Sequence, residues 1–351
     1  MSTPVARAAG PPAARQEVAF DTSGSTGAAR RWLRQPWQLE REVELVGRHL
    51  IGPVDHVINY APPRHLFGAL FGRWLPRMAR VPVQQAWADP FAPLTVPAGA
   101  RLLVVCLPMA WNLLHRNRPA LERARSVVAL HSSAAPPLAA HRLVHRAGPL
   151  LRAHELLGST ETGGIAHRPL APEGAGAAPW RVLPDVTLLR DSGTRAEHGR
   201  IERLTLRSPR LARPERAARP PVRWSTGDLV EFTGDRSFQL VGRDSSLIKV
   251  NGVKVHLERI DERLRARLPR AECVVLPGPG DPLAGEGYVV FWSGRRRGVD
   301  LAAVRAVLRD FPNPTRIMEL AAIPRTAGGK PNTAALLAEL RPAPHPLSKR
   351  P

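Results

Sequence analysis

A glycine-rich segment near the start of the chain has the residue types that bind phosphate. It is the run Thr22, Ser23, Gly24, Ser25, Thr26 and Gly27, with Arg30 shortly after it. Glycine lets the backbone fold around an anion, hydroxyls and amides donate to phosphate oxygens, and arginine adds charge-assisted donors. The run lacks the spacing and the Lys-Ser/Thr ending of a Walker loop. Taken alone, such a run is more often an ordinary loop.

A second glycine-rich segment places a hydroxyl beside a carboxylate. The stretch from Gly158 to Gly164 reads GSTETGG, so Ser159, Thr160 and Glu161 are expected on one tight turn. A threonine in such a turn can bind a phosphate, and a glutamate can hold Mg²⁺.

Two further segments each supply one charged group. The stretch Trp224–Asp228 puts Asp228 at a predicted turn, where a carboxylate could accept hydrogen bonds from both hydroxyls of a ribose. The stretch Pro324–Lys330 carries Lys330 on a glycine-flanked loop. Taken separately, each of these segments, like Gly158–Gly164, is better explained by ordinary turn chemistry.

The elements that must position these residues alternate between strands and helices. Helical spacing of apolar residues predicts helices over Leu39–Leu50 and Leu138–Ala147. Apolar runs predict strands over Val18–Phe20, Val54–Tyr60, Arg101–Leu107, Ser126–His131 and His154–Leu157. This alternation favours an α/β fold with layered, mainly parallel sheets. Short strands and turns over residues 181–241 predict a more antiparallel part.

After Arg243 the pattern changes to a compact α+β unit. Asn251-Gly252 predicts a hairpin between two short strands over Leu247–Val255. Strands are expected over Ala271–Leu276, Tyr288–Trp292 and Ile317–Ile323. Helices are expected over Leu257–Leu268, Leu301–Leu308 and Thr333–Leu340, the last with Thr333 as N-cap.

The charge balance admits more than one kind of partner. The 51 basic and 30 acidic residues give a formal net charge of +21, which suits nucleic acid or an acidic protein. Nearly all the basic residues are arginine, as a GC-rich genome would produce, and no nucleic-acid-binding motif is visible. We therefore do not favour nucleic acid as a partner.

The two cysteines, Cys106 and Cys273, lie in apolar runs and are expected as buried thiols. No transmembrane segment or secretory signal is visible, so we expect a cytoplasmic protein.

In their order along the chain, the four segments resemble the motifs of the adenylate-forming (ANL) superfamily. This superfamily includes acyl- and aryl-CoA ligases, adenylation domains of peptide synthetases, and luciferase. Three more segments extend the resemblance to nearly the whole chain: Pro62–Gly68 (PPRHLFG), Ser132–Pro137 (SSAAPP) and Gly242–Gly252 (GRDSSLIKVNG) with Glu258 beyond it. There is also a weak resemblance to ligases of aryl polyene and xanthomonadin pigment clusters.

Some positions depart from the family pattern. Arg30 stands where a lysine is usual, Leu157 where an aromatic residue is usual, and Ser245 at the hinge position. Relatives carry a long stretch ahead of the phosphate segment, whereas here that segment begins at residue 22, so we expect a reduced large domain or a shortened start.

The resemblance implies domains, ligands and residue roles. We predict a disordered lead-in (1–18), a large AMP-binding domain (19–242), a hinge (243–245), a small lid domain (246–343) and a tail (344–351). The implied reaction joins a carboxylic acid, aryl or medium acyl, to ATP with Mg²⁺ as acyl-AMP. The acyl group then passes to the thiol of CoA or of a phosphopantetheine arm on an acidic acyl carrier protein.

The implied catalytic residues are Lys330, Lys249, Thr160 and His65, and Glu161 is the implied metal ligand. The implied nucleotide and thiol contacts are Thr22, Ser23, Gly24, Ser25, Thr26, Gly27, Arg30, Ala134, Ala135, Pro136, Gly158, Ser159, Asp228, Arg243 and Gly252. Two alternatives remain open: a catalytically degenerate member that serves as a binding or scaffold subunit, and a basic nucleic-acid-binding protein.

Overall fold

The structure is a computed structural model that describes residues 16–22, 30–173, 175–190, 201–243, 247–250, 253–281, 285–326 and 330–340. Its strands in the first part of the chain are β1 (Val18–Thr22), β2 (Arg30–Arg34), β3 (His56–Asn59), β4 (Val83–Gln84), β5 (Arg101–Cys106), β6 (Ser126–His131), β7 (Leu151–Ser159), β8 (Gly163–Pro169), β9 (Trp180–Val182), β10 (Thr187–Leu189), β11 (Ile201–Arg207), β12 (Arg213–Pro214), β13 (Trp224–Gly234) and β14 (Ser237–Arg243). The later strands are β15 (Leu247–Val250), β16 (Val253–His256), β17 (Glu272–Asp281), β18 (Gly285–Ser293) and β19 (Arg316–Glu319).

The α-helices are α1 (Pro36–Val46), α2 (Leu66–Ala69), α3 (Leu75–Ala79), α4 (Pro108–Arg116), α5 (Arg118–Leu121), α6 (Leu138–Ala147), α7 (Leu257–Arg267), α8 (Leu301–Leu308) and α9 (Thr333–Ala338). Short π-helical turns extend α1 over Gly47–Ile51 and join α2 to α3 over Leu70–Trp74.

One large sheet runs through the first part of the chain in the order β10-β11-β13-β14-β9-β8-β7-β6-β5-β3-β4. Strands β4, β3, β5, β6 and β7 are parallel, whereas the pairings from β7 to β10 are antiparallel. The α/β class predicted from the sequence is confirmed, with the parallel order confined to one half of this sheet. The antiparallel order expected over residues 181–241 is confirmed as well.

Helix α1 shows why this sequence folds as it does. Pro36 occupies its first turn, where proline removes no hydrogen bond that a helix needs. Leu39, Val43 and Val46 fall on one face and are buried in the core that also holds strand β3. Glu42 lies on that same face and is only 1% exposed, which is unusual for a carboxylate.

The chain from Leu247 onward builds a separate sheet in the order β16-β15-β18-β17, with β19 parallel to β18. Its core includes Ile260 and Leu264 of α7, Tyr288 and Trp292 of β18, and Val304 of α8. The hairpin predicted over Leu247–Val255 is confirmed in β15 and β16. The domain boundaries themselves stay a prediction.

Several predicted elements differ from the observed ones at their ends. The N-cap of α9 is Asn332, whose side chain accepts from the Ala335 amide at 3.1 Å, so the prediction of Thr333 was wrong. Thr333 is the first helical residue, from which the side chain cannot reach back to cap the turn. Strand β19 ends at Glu319, before the predicted Ile323.

Both cysteines are free and buried, as predicted. Within the described ranges, no helix is long and apolar enough to cross a lipid bilayer.

Candidate functional site

The parallel half of the large sheet brings three predicted segments to one edge. Strands β3, β6 and β7 run in the same direction. Their carboxyl ends lead into the segments that carry His65, Ala134 and Thr160, respectively. In open α/β sheets ligands bind outside the carboxyl ends of the strands. This edge is therefore the candidate active site.

The first glycine-rich segment connects the strands of a hairpin. Thr22 pairs with Arg30 across β1 and β2, and its Oγ1 donates to the Arg30 carbonyl at 3.2 Å. Ser23, Gly24, Ser25, Thr26 and Gly27 lie outside the described residues. The indole of Trp32 in β2 meets that of Trp224 in β13 edge to face, with ring centroids 5.2 Å apart. The hairpin therefore lies next to the strand that carries Asp228.

The turn between β7 and β8 carries Thr160 and Glu161, both half-buried. It follows the exposed Gly158 and is closed internally, since the Ser159 amide donates to Thr162 Oγ1 at 3.1 Å. The Glu161 carbonyl accepts from the Ala212 amide at 2.8 Å. The backbone of the turn is thus held by a hydrogen bond within the turn and by a second one from Ala212.

A buried cluster of four charged residues lies beneath this turn, and the sequence analysis missed it. We call Arg34, Glu42, Asp185 and Arg210 the buried ionic cluster. Arg210 donates to Glu42 through Nη1 at 2.9 Å and to Asp185 through Nη2 at 2.9 Å. The available signal was Glu42, a carboxylate placed among the apolar positions of a predicted helix.

Burial and charge act in opposite directions on the pKa values in this cluster. Burial lowers the pKa of Arg34 to about 10, an effect that nearby Glu42 and Glu161 oppose. Although burial opposes its charge, Glu42 and Asp185 raise the pKa of Arg210. Both guanidiniums are therefore charged at neutral pH.

Asp228 lies inside strand β13 and not at the predicted turn. Gly227 adopts a φ of +78°, which a glycine tolerates, and this lets the strand continue through the motif. The buried Asp228 carboxylate accepts from Nε of the exposed Arg243 at 2.9 Å, across the β13–β14 pair. The two predicted ribose contacts are therefore neighbours.

The charge of Lys330 acts on His65, and the charge of Arg243 acts on Lys330. Desolvation, together with the charge of Arg243, lowers the pKa of Lys330. Desolvation and the charges of Arg64 and Lys330 lower the pKa of His65. The loop before Lys330 is closed at its base, since the Thr326 amide donates to the Lys330 carbonyl at 2.8 Å.

The segment after β6 is held by a buried histidine. His131 Nδ1 accepts from the Trp111 indole at 3.0 Å, so Nε2 carries the proton and donates to the Ala134 carbonyl at 2.8 Å. Burial lowers the pKa of His131 to about 4. Ser133 has a φ of +87°, a strained conformation for serine. Ala135 is exposed and Pro136 is buried beside it.

The Pro62–Gly68 segment packs too closely for a side chain at Gly68. A Cβ there would lie 2.3 Å from the Pro62 carbonyl oxygen. Leu66 is buried in the core, and Phe67 contacts Phe71 edge to face with centroids 5.5 Å apart. His65, at the start of α2, is exposed.

Only part of the segment predicted to contact the acceptor thiol lies within the described residues. Lys249 lies in β15, where its backbone pairs with Lys254 of β16. Gly252 and Ser245 lie outside the described residues.

Comparison with known proteins identifies relatives along most of the chain. No family model matches it. It is 30% identical over 329 residues to a 4-coumarate–CoA ligase of Rhodobacter capsulatus, covering 91% of this chain and 76% of that protein. A 4-coumarate–CoA ligase of Halorhodospira halophila is 28% identical, covering 89% and 74%. ATP-bound MatB from Rhodopseudomonas palustris shares the fold, with a TM-score of 0.71 at 19% identity, covering 92% of this chain and 67% of that one.

The chain belongs to the adenylate-forming superfamily of acid–thiol ligases. It is accordingly an AMP-forming ligase that activates a carboxylic acid with ATP. The family resemblance read from the motifs is confirmed.

Proposed function

We propose that this ligase activates an aromatic or medium-chain carboxylic acid and transfers the acyl group to CoA. The observation that carries the proposal is the convergence of the His65, Ala134 and Thr160 segments at one sheet edge. Two relatives that match along most of the chain are named for 4-coumarate, a planar aromatic acid. The half-buried ring of Phe67, two residues after His65, suits such an acid, whereas Leu66 belongs to the core.

In the first half-reaction a carboxylate oxygen attacks the α-phosphorus of ATP, and the bond to the β-phosphate oxygen breaks. Acyl-AMP forms and pyrophosphate leaves. Charge develops on the phosphoryl oxygens, so preorganised cations and hydrogen-bond donors lower the barrier. We assign Lys330 to the carboxylate and α-phosphate, Thr160 to a phosphate oxygen, and Asp228 with Arg243 to the ribose. Arg30 and the Ser23–Gly27 loop are assigned to pyrophosphate.

The donor set at Glu161 suits Mg²⁺ that arrives with ATP. No cluster of three or more His, Cys, Asp or Glu that could hold a metal occurs in the part of the chain that the structure describes. Mg²⁺ is commonly held by one or two carboxylates together with substrate phosphates. Glu161 is the carboxylate of the phosphate-binding turn. When bound, Mg²⁺ would neutralise phosphate charge.

In the second half-reaction the sulfur of a thiol attacks the acyl carbon, and the bond from that carbon to the AMP oxygen breaks. The thiol proton leaves to water as the thioester forms. We assign Lys249 and Gly252 to the tunnel that admits the pantetheine arm, because a glycine allows close passage. This assignment requires the small domain to rotate about a hinge at 243–245.

A carrier protein is the second candidate acceptor. The net charge of +21 would steer an acidic carrier protein toward the enzyme. Because steering between exposed charges is screened by salt, the transfer rate to a carrier protein should fall as ionic strength rises. A flat salt response would contradict steering.

The test is ATP–pyrophosphate exchange with a panel of aromatic, fatty and amino acids, followed by thioester formation with CoA or a carrier protein. We expect exchange with aromatic or medium-chain acids and thioester formation with CoA. Exchange with amino acids alone would contradict the proposed acid class, and transfer only to the carrier protein would contradict the proposed acceptor.

The variant Gly252→Trp should keep ATP–pyrophosphate exchange and lose thioester formation. Loss of both reactions would instead assign Gly252 to the turn.

A further inference from the structure

The buried ionic cluster makes direct contact with the backbone of the phosphate-binding turn. Arg34 donates from Nη2 to the Thr160 carbonyl at 2.8 Å and from Nη1 to the Arg210 carbonyl. Glu42 accepts from the Gly164 amide at 2.7 Å. Arg210 donates from Nη2 to the Gly164 carbonyl, also at 2.7 Å. The cluster therefore holds both ends of the segment that presents Thr160 and Glu161.

The turn lies so close to the buried ionic cluster that a side chain at Gly163 would not fit between them. Gly163 has a φ of +71°, and a Cβ there would lie 2.3 Å from Glu42 Oε2 and 2.8 Å from Arg210 Nη1. The Glu42 and Arg210 side chains are 1% and 0% exposed, so neither can move into solvent. The turn thus rests directly on a buried ion pair.

Stability alone gives no reason for such a cluster. Two charges removed from water lose hydration energy, and apolar residues of similar volume often stabilise a core equally well. Here the charged groups donate to and accept from backbone groups at 160 and 164, which an apolar core could not do.

We propose that Arg34, Glu42 and Arg210 are positioning residues, which hold Thr160 and Glu161 in the orientation that binds the triphosphate of ATP with its Mg²⁺. The inference rests on the proposed roles of Thr160 and Glu161. These residues touch neither ATP nor the acid, and they act through the turn backbone. Their removal should weaken nucleotide binding and leave recognition of the acid largely intact.

The test compares Arg34→Met, Arg34→Lys and Glu42→Gln with the control Arg168→Met. Arg168 also forms a largely buried ion pair, to Glu155 at 2.8 Å, and its guanidinium lies over the Trp180 ring. A charged hydrogen bond contributes about 1.5–3 kcal/mol, so KM for ATP should rise roughly tenfold to a hundredfold in Arg34→Met. KM for the acid should change less than about twofold. Arg34→Lys and Glu42→Gln each retain one polar contact and should fall between wild type and Arg34→Met.

A second readout does not depend on turnover. ATP with Mg²⁺ should raise the Tm of the wild-type protein and of Arg168→Met by similar amounts, and this shift should shrink in the three cluster variants. If Arg34→Met does not fold, Arg34→Lys and Glu42→Gln carry the test. Equal ATP shifts in all variants, or a rise in both KM values that Arg168→Met reproduces, would overturn the proposal. Wild-type protein that binds ATP but exchanges no acid would refute the proposed function and leave this inference standing.

Discussion

The turn at 158–164 and the loop that ends at Lys330 hold their assigned groups in contrasting ways. The turn is fixed by buried charges from β2, from α1 and from the chain near Arg210, through hydrogen bonds to its backbone. Lys330 is exposed, and backbone pairing of Arg325 with Pro331 and of Thr326 with Lys330 closes its loop. The comparison teaches that buried charges fix the backbone of the turn, whereas backbone pairing alone closes the loop of the exposed lysine.

The largest expected effect comes from removing the side chain of Lys330. Lys330→Ala should lower the rate of acyl-adenylate formation by roughly 10²–10³, because a cation that stabilises transition-state charge is lost. It should spare thioester formation from supplied acyl-AMP, since pyrophosphate has already left. Pyrophosphate exchange and thioester formation on one preparation separate the two steps. An equal fall in both rates would show that Lys330 does not act in one half-reaction alone.

The next largest effect comes from a substitution in the turn at 158–164. Gly163→Ala forces a Cβ into the Glu42–Arg210 pair, and overpacking of this kind costs about 1–3 kcal/mol beyond the strain of a positive φ. Gly298→Ala is the matched control, because Gly298 has a φ of +78° and a Cβ there meets nothing within 4 Å. Denaturant unfolding should give a clearly larger loss for Gly163→Ala. Equal losses would mean that the turn can move away from the cluster.

Glu161→Gln tests the charge that the turn presents. The amide keeps the shape but loses the charge that attracts Mg²⁺, so exchange at low Mg²⁺ should fall roughly tenfold and recover partly as Mg²⁺ is raised. Glu173→Gln, which alters an exposed ion pair with Arg142, should match wild type. A lower Tm of Glu161→Gln, with an exchange rate that does not depend on Mg²⁺, would instead show that Glu161 has a structural role.

The smallest effect concerns pH and the segment after β6. Burial lowers the pKa of His131 to about 4, below its unfolded value near 6.5. Between these values the unfolded chain binds more protons, so the free energy of unfolding should fall as pH decreases from about 6.5 to 4. His131→Gln should make that slope shallower by about 1 kcal/mol per pH unit. Trp111→Phe keeps the imidazole and should retain the slope; an unchanged slope in His131→Gln would refute the assignment.

Local patterns in the sequence predicted most of the elements around the site. Helix α6 runs over Leu138–Ala147 as expected, because its apolar spacing has no competing signal. Strand β7 extends to Leu151–Ser159, longer than the predicted His154–Leu157. Charged and polar residues interrupt its apolar pattern, and only the neighbouring strands show that it continues.

The parts that could not be predicted depend on contacts between distant residues. Glu42 and Arg210 are 168 positions apart, and nothing local to Arg210 indicates that it is buried. Asp228 was expected in a turn because Ser-Thr-Gly-Asp is typical of turns. It lies in a strand because the pairing of β13 with β14 begins at Asp228 itself, which lies opposite Arg243.

The Trp32–Trp224 contact gives the molecule an intrinsic optical reporter. Two indoles 5.2 Å apart and nearly perpendicular couple their transitions. One belongs to the β1–β2 hairpin, and the other begins the strand that carries Asp228. Any ligand that moves the hairpin relative to the strand changes this coupling. Near-ultraviolet circular dichroism should therefore follow nucleotide entry in the unlabelled protein, and Trp32→Phe should abolish the signal.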